Sequence, residues 1–330
     1  MRARGPFASL LFGFLAVLAL PVPSAVAQAS PEPAWPQRSV RFILPLGPGS
    51  GTDIGARLLS DALAKRWGQA VVIENRPGGD GVVAINAFVS AKDDHILLFA
   101  PTSSFTAHQY MHDNLPYRPE DLAPIARVSN TVISQSVTAT LPVNSMKELV
   151  AYIRANPGKV NWAGVTGALS FLWEGFLKTE GLDMAKVPYR NAVDAANDLA
   201  QGRVHFYRAA LAIVQPQLQL GKVKLLSMSN STRAPAEPNV PTVAEAGYQS
   251  LEFDGLVGLF GPPSMPMALR ERIAADVRAV MAAEPVIADR LTRTGQIVNP
   301  GGPAEFGKSI DDQRARVTAA ANAIGAKPKQ

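Results

Sequence analysis

The stretch VRFILPLGPGSGTDIGAR, Val40 to Arg57, decides how this chain folds. Val40 to Pro45 is an apolar run of strand length. Gly47, Gly49 and Gly51 then turn the chain. From Thr52 to Trp67 the apolar residues Ile54, Leu58, Leu59, Leu63 and Trp67 recur on a helical period. Ala70 to Glu74 reads as a second strand and runs into a second glycine loop, ENRPGGDGVVA, Glu74 to Ala84. His95 to Ala100 (HILLFA) reads as a third strand. Strand, glycine turn, helix and strand in succession form the grammar of a parallel α/β sheet.

Downstream the grammar repeats. Thr131 to Thr140 is long and β-branched and suits a connection between two domains. Ser145 and Glu148 form a capping box for a helix through Arg154. A second α/β unit follows. Its strands are expected at Val160 to Ala163, Val204 to Tyr207 and Val223 to Met228, its helices at Phe171 to Thr179 and Ala192 to Gln201. Arg233 to Pro241, with three prolines, reads as a return linker. A strand at Gly255 to Phe260 and helices at Pro266 to Ala283 and Pro303 to Ala323 close the chain. The sequence therefore predicts two α/β lobes with crossing strands and a cleft between them. The expected division is 36–130 plus 240–330 for lobe 1 and 131–239 for lobe 2, with the C-terminal helices able to straddle both.

Composition narrows the function. The chain has 330 residues, 47% hydrophobic and 18% charged, enough to bury a large core. It contains no cysteine, which excludes disulfides, thiolate metal sites and cysteine nucleophiles. A formal charge of +5 without a run of basic residues leaves no footprint for nucleic acid. At the N-terminus, Arg2 and Arg4 precede a run of 14 apolar or small residues from Phe7 to Leu20, then Pro21 and Ala25-Val26-Ala27. This is the signature of a secretory signal peptide, residues 1–27, with cleavage expected after Ala27. The run is short for a membrane span. The mature chain is expected in the periplasm.

Two loops suit an anion. Gly47, Pro48, Gly49, Ser50, Gly51, Thr52 and Asp53 lie at a helix N-terminus, where free amides and the helix dipole attract negative charge. A plain turn with Thr52 or Asp53 as N-cap is the simpler use of the same residues. No G-x-G-x-x-G fits these glycines, so a dinucleotide site is not indicated. Gly78, Gly79 and Gly81 repeat the device after the next strand, and Thr102 and Ser103 add hydroxyls after the third. Ligands of open α/β sheets bind off the carboxyl ends of such strands. His108 and His112 are four apart and Asp113 is adjacent. With no third ligand evident in the sequence, they read as a solvated polar helix rather than a metal site. No H-E-x-x-H, G-x-S-x-G or P-loop pattern occurs. A secreted hydrolase-like enzyme using the same cleft, and a ligand sensor, are the competing functions.

The ordered set of motifs resembles the substrate-binding proteins of tripartite tricarboxylate transporters, the Bug-type receptors. It consists of Pro45, Pro48, Gly49 and Asp53; Glu74 to Gly78 with Gly81; Leu115-Pro116-Tyr117 with Asp121 and Pro124; Val187-Pro188-Tyr189-Arg190; and Asn239 to Gly247. The likeness runs from Trp35 to about Gly325. It implies an α/β, two-lobed periplasmic-binding-protein fold of type II kind, with a ligand cleft between the lobes. It also implies a small organic acid as ligand, membrane permease subunits as partners, a monomer, no cofactor, no metal and no catalysis. From the second lobe it implicates Thr166, Gly167, Ala168, Ser170, Tyr189, Arg190 and Asn191. Arg190 can meet a carboxylate bidentately, or pair with Asp194 one turn on. Three departures stand out. Ser50 replaces a glycine and is strained if its φ is positive. Asp80 enters the second glycine loop and near an anion must point away. Ala209 replaces an acid, which counts against amino-acid ligands. Phe171, Trp173 and Tyr207 are then the candidates for an apolar distal wall.

Overall fold

A computed structural model of the chain describes Met1 and residues 35–165, 167–189 and 191–329. The expected signal peptide, apart from Met1, and the site candidates Thr166 and Arg190 lie outside the described residues.

The first sheet begins with β1 (Val40–Leu44), α1 (Gly51–Trp67), β2 (Val71–Asn75), α2 (Val82–Ala91), β3 (Ile96–Pro101), the single turn α3 (His108–Met111) and β4 (Ala123–Thr131). The second contains β5 (Ile133–Thr138), α4 (Met146–Ala155), β6 (Asn161–Val165), α5 (Ala168–Glu180), β7 (Ala185–Tyr189), α6 (Ala192–Ala200), β8 (Phe206–Ala210), α7 (Leu211–Gln219) and β9 (Val223–Met228). The chain then returns through β10 (Gly255–Gly261), α8 (Met267–Ala283), α9 (Pro285–Arg293), β11 (Gln296–Gly301) and α10 (Pro303–Ile324). Strand order is β11-β4-β10-β3-β1-β2 in the first sheet and β7-β6-β8-β5-β9 in the second. The fold is two-lobed α/β, as the sequence predicts. Among the described residues no helix is long and apolar enough to cross a membrane.

Each sheet is buried on both faces. Phe42, Leu44, Leu97 and Phe99 meet α1, α8 and α9 on one side of the first sheet, while Ile43, Leu98 and Phe260 meet α2 and Phe306 of α10 on the other. This explains the near-continuous apolar strands, since a strand covered on both faces has no reason to alternate. In the second lobe, Trp162 and Phe206 pack with α4 and α5, and Ala163 and Tyr207 with α6 and α7.

Two sequence expectations shift. Thr131 to Thr140 is not one connector: β4 ends at Thr131 and β5 begins at Ile133, so the crossing is a single residue, Val132. Val243, Ala246, Tyr248 and Leu251 join the core of the second lobe, and Met228 bridges Thr242. That packing puts the return crossing near Phe253 and Asp254 rather than at 239/240. The Pro-rich linker is a loop on the second lobe.

α10 makes two sets of packing contacts. Its Phe306 and Ile310 pack under the first sheet, and its Val317, Ala320 and Ala321 pack with Ala168, Phe171 and Leu172 of α5. The two helices approach so closely at Gly175 that a Cβ there would lie 2.7 Å from Ala320 Cβ and 2.8 Å from its Cα. Such contacts do not occur between real side chains, and the obstacle is partly backbone. Gly175→Ala is therefore expected to force α5 and α10 apart and to destabilise the protein by about 1–3 kcal/mol. Urea unfolding followed by circular dichroism checks this, and an unchanged midpoint refutes it.

Candidate functional site

The parallel pairing of β1 with β2 sets Leu44 opposite Asn75 and brings the first two glycine loops side by side. In the first loop Gly49 carries the positive φ, 83°, whereas Ser50 has φ −66° and ψ 154°. Ser50 is thus an unstrained N-cap, and the expected strain is absent. Its hydroxyl accepts the Asp53 amide at 3.2 Å. The Asp53 carboxylate accepts from the Gly49 amide at 2.9 Å, from Arg57 and from Asn75, whose amide also holds the Leu46 carbonyl. Asp53 is an internal brace for the loop. The loop's amides are therefore partly engaged: Gly49 by Asp53, and Ser50 by the Gly47 carbonyl. The amides of Gly51 and Thr52 at the mouth of α1 have no acceptor among the described residues.

The second loop runs through four residues of positive φ, Gly78, Gly79, Asp80 and Gly81. At Gly81 a side chain would meet Pro45, before the first loop, and Ser104, after the third strand, all at 3.4 Å. The three loops touch. From the second lobe, Gly167 (φ 103°) comes to the same place: a Cβ there would lie 3.5 Å from the Ser103 carbonyl oxygen and 3.9 Å from Asp80 Oδ1. Gly167 is the N-cap of α5 and provides no side-chain cap. The mouth of a thirteen-residue helix therefore opens where the two lobes meet.

Beside this junction lies a cavity of about 610 Å³. Met111 of the first lobe lines it, with Val165, Ser170, Phe171, Pro188 and Tyr189 of the second, and Glu174 and Lys186 at its rim. Lys186 pairs with Glu174, and its stem crosses Gly164, where any Cβ would collide with it.

Several expected ligand hydroxyls are turned inward. Thr102 is fully buried and bonds Gln313 of α10. Ser170 donates to the Val165 carbonyl. Tyr189 donates to Asp198 at 2.7 Å, and burial, reinforced by that carboxylate, pushes its pKa up to about 12. Tyr189 keeps only its ring for the cavity. Ala168 is buried against α10. Phe171 lines the cavity; Tyr207 and Trp173 do not. Tyr207 is 2% exposed among Ala163, Ala195 and Leu199, and Trp173 stacks on Phe206. β8 places both its faces in core, so its aromatic side chains cannot reach a cleft.

The expectation of a solvated helix at His108 and His112 is also corrected. His108 is 1% exposed and bonded to the Tyr117 hydroxyl through Nδ1. Asp80 points at both histidines. Sequence reasoning did not pair Asp80 with them, because a loop residue and a turn 28 positions later show no common period. It also passed over Met111, Glu174, Lys186 and Pro188. Two signals were present: Glu174 is one helical turn past Ser170, and Lys186 and Pro188 are alternate residues of the strand that ends at Tyr189.

Residues 55–326 match the model of the tripartite tricarboxylate transporter family receptor. The chain belongs to that family. It is 29% identical to a UPF0065 protein of Bordetella pertussis over 320 residues, 96% of this chain and 97% of the other. Among solved structures it resembles Rpa4515 of R. palustris with adipate (TM-score 0.77, 26% identity, 89% of this chain and 100% of that one). It also resembles the periplasmic binding protein BugD (TM-score 0.73, 25% identity, 90% and 100%). Members of the family are periplasmic substrate-binding receptors.

The Asp53 brace predicts a pH signature. Burial alone would raise its carboxyl, but the bonds from Arg57, Gly49 and Asn75 outweigh burial and hold it below the ordinary 3.8. A depressed carboxyl stabilises the fold at pH values above its unfolded pKa, and loses that contribution as pH falls through the lower folded value. Asp53→Asn is thus expected to cost about 1–3 kcal/mol at pH 7. In urea titrations the gap from the parent protein should close at pH values below about 4. A gap independent of pH contradicts the assignment.

Proposed function

We propose that this family receptor takes a small organic carboxylate at the junction of its lobes and delivers it to the membrane subunits of a tripartite transporter. One observation carries the reading: the second and third first-lobe loops meet the uncapped mouth of α5 at one point, with Pro45 at the head of the first loop packed against the second, beside a cavity of a size suited to a small molecule. Gly51 and Thr52 of the first lobe and the first turn of α5 in the second offer amides to one anion. Hydrogen bonds to a charged group contribute about 1.5–3 kcal/mol each. Micromolar affinity is about 8 kcal/mol. A handful of amides suffices, even after the cost of ordering the ligand. Rpa4515, whose structure contains adipate, supports a dicarboxylate as the first ligand to try. Binding then favours the closed arrangement, because only there do both lobes touch the ligand.

Thermal denaturation with a panel of mono-, di- and tricarboxylates tests this. A ligand at a hundred times its Kd stabilises by about 2.7 kcal/mol, a shift of several degrees. Gly167→Val should abolish the shift, since a side chain there enters the junction; the positive φ strains it, so the melting temperature without ligand also falls, by several degrees, and circular dichroism checks that the fold is retained. No shift and no heat of binding across the panel refutes the reading.

Export belongs to the same proposal. The form purified from the periplasm should begin at Gln28, as N-terminal sequencing will read. An intact Met1 end on the exported protein contradicts it.

A further inference from the structure

Two groups of acid and imidazole side chains bring three potential ligand atoms within 4.8 Å of one another. They differ in one respect. In the first, Asp93, Asp94 and His95, the donors are engaged. His95 Nδ1 bonds Asp94 at 2.6 Å, its Nε2 accepts from the Gln37 amide, and Asp93 is held by Arg38 at 2.7 Å. The second comprises Asp80, His108 and His112. There the His108 Nε2 is buried and has no hydrogen-bond partner.

We propose that Asp80, His108 and His112 form a binding site for a divalent first-row transition-metal ion such as Zn²⁺, at the junction between the lobes. Asp80 Oδ2 lies 3.5 Å from the Nε2 atoms of both histidines. That is long for a hydrogen bond, which prefers 2.7–3.2 Å or so. It matches the edge of a tetrahedron: ligands about 2.0–2.2 Å from zinc stand about 3.3–3.6 Å apart. The local fold holds the set in place. His108 and His112 are one turn apart, with the His112 amide bonded to the His108 carbonyl and the rings 4.7 Å between centroids. Asp80 is fixed by a φ of 57° between glycines. The Tyr117 hydroxyl occupies His108 Nδ1. A proton on Nδ1 donated to Tyr117 leaves the Nε2 lone pair aimed at Asp80, the outer-partner arrangement that orients a ligating imidazole.

Two imidazoles and one carboxylate select zinc, cobalt or nickel over the oxygen-seeking magnesium and calcium. His108 forms the closed wall, at 1% side-chain exposure, while Asp80 and His112 keep 16% and 31%. The open side admits water or an anionic ligand. The site stands apart from the receptor reading, because metal binding is measured without any carboxylate.

The test uses the tag-free exported protein. Zn²⁺ is titrated against a chromophoric chelator, and Co²⁺ is followed by its visible spectrum. One equivalent is expected, with the intense bands of low-coordinate cobalt and no competition from excess Mg²⁺. His112→Ala and Asp80→Asn should each weaken binding at least tenfold. Asparagine tolerates the left-handed backbone at position 80, so the loop survives. Tyr117→Phe should weaken binding about 10–100-fold while keeping the cobalt band positions, the mark of a positioning residue. His95→Ala should change nothing. Absence of saturable binding overturns the proposal, as does full affinity in both His112→Ala and Asp80→Asn, or a loss in His95→Ala.

Discussion

The side chain of Asn230 holds together the two chain crossings on which the molecule depends. Its Oδ1 accepts the Ile133 amide as the chain leaves the first sheet, and its Nδ2 donates to the Thr131 carbonyl and to Asp254 as the chain returns. Asn230 is fully buried, so each lost bond would leave a dry polar group, which costs far more than the bond itself contributes. Around it, Val132 donates to Gly295 and accepts from Leu211, and Phe253 donates to Ser229. Both crossings are thereby tied at one level, and the facing loops of the two lobes inherit their spacing from it.

The crossings also enclose an unpaired cation. Arg208, on β8, is 4% exposed and has no ion pair among the described residues. Burial pushes its pKa down to about 9, which still leaves it charged at neutral pH. Its side chain donates to the Leu251 carbonyl and to Ser229, and its Nη1 has no partner among the described residues; on the neighbouring strand Gln135, opposite it, donates to Ser229 through Nε2 and leaves its Oε1 unsatisfied. A buried charge of this kind favours neither lobe's stability. It lies where the second lobe meets the returning chain, the region that must flex if the lobes move.

Much of this was legible in the sequence. Buried strands such as Val40 to Leu44 and Gly255 to Gly261 announce themselves by unbroken apolar runs, and α1 by its period, although its N-cap is Ser50 and not the expected Thr52 or Asp53. α7 and α9 were not legible: Leu211 to Gln219 contains a proline, and Pro285 to Arg293 follows α8 with no glycine break. At the site, glycines revealed which loops turn sharply, because the need for positive φ is local. The direction of a hydroxyl is not local. Thr102 bonds Gln313, 211 residues away, and Tyr189 bonds Asp198 on the next helix. No pattern near Thr102 signals that its partner exists.

This inward turn has a consequence for recognition. Asp53, Thr102, Ser170 and Tyr189 commit their polar atoms to the protein itself, so what the glycine loops and the mouth of α5 leave facing the junction is chiefly main chain, with Asp80, His108 and His112 as the polar side chains beside it. Main-chain amides placed by glycine turns and helix mouths require only the backbone path. Side chains around them are free to differ provided the turn survives. Chains 25–26% identical to this one retain the fold at TM-scores of 0.73–0.77. On the receptor reading, the first and second lobes fix a carboxylate by geometry common to any acid. Discrimination among acids then falls to the cavity wall of Met111, Phe171, Pro188 and the Tyr189 ring, and to the charged pair of Lys186 and Glu174 at its rim.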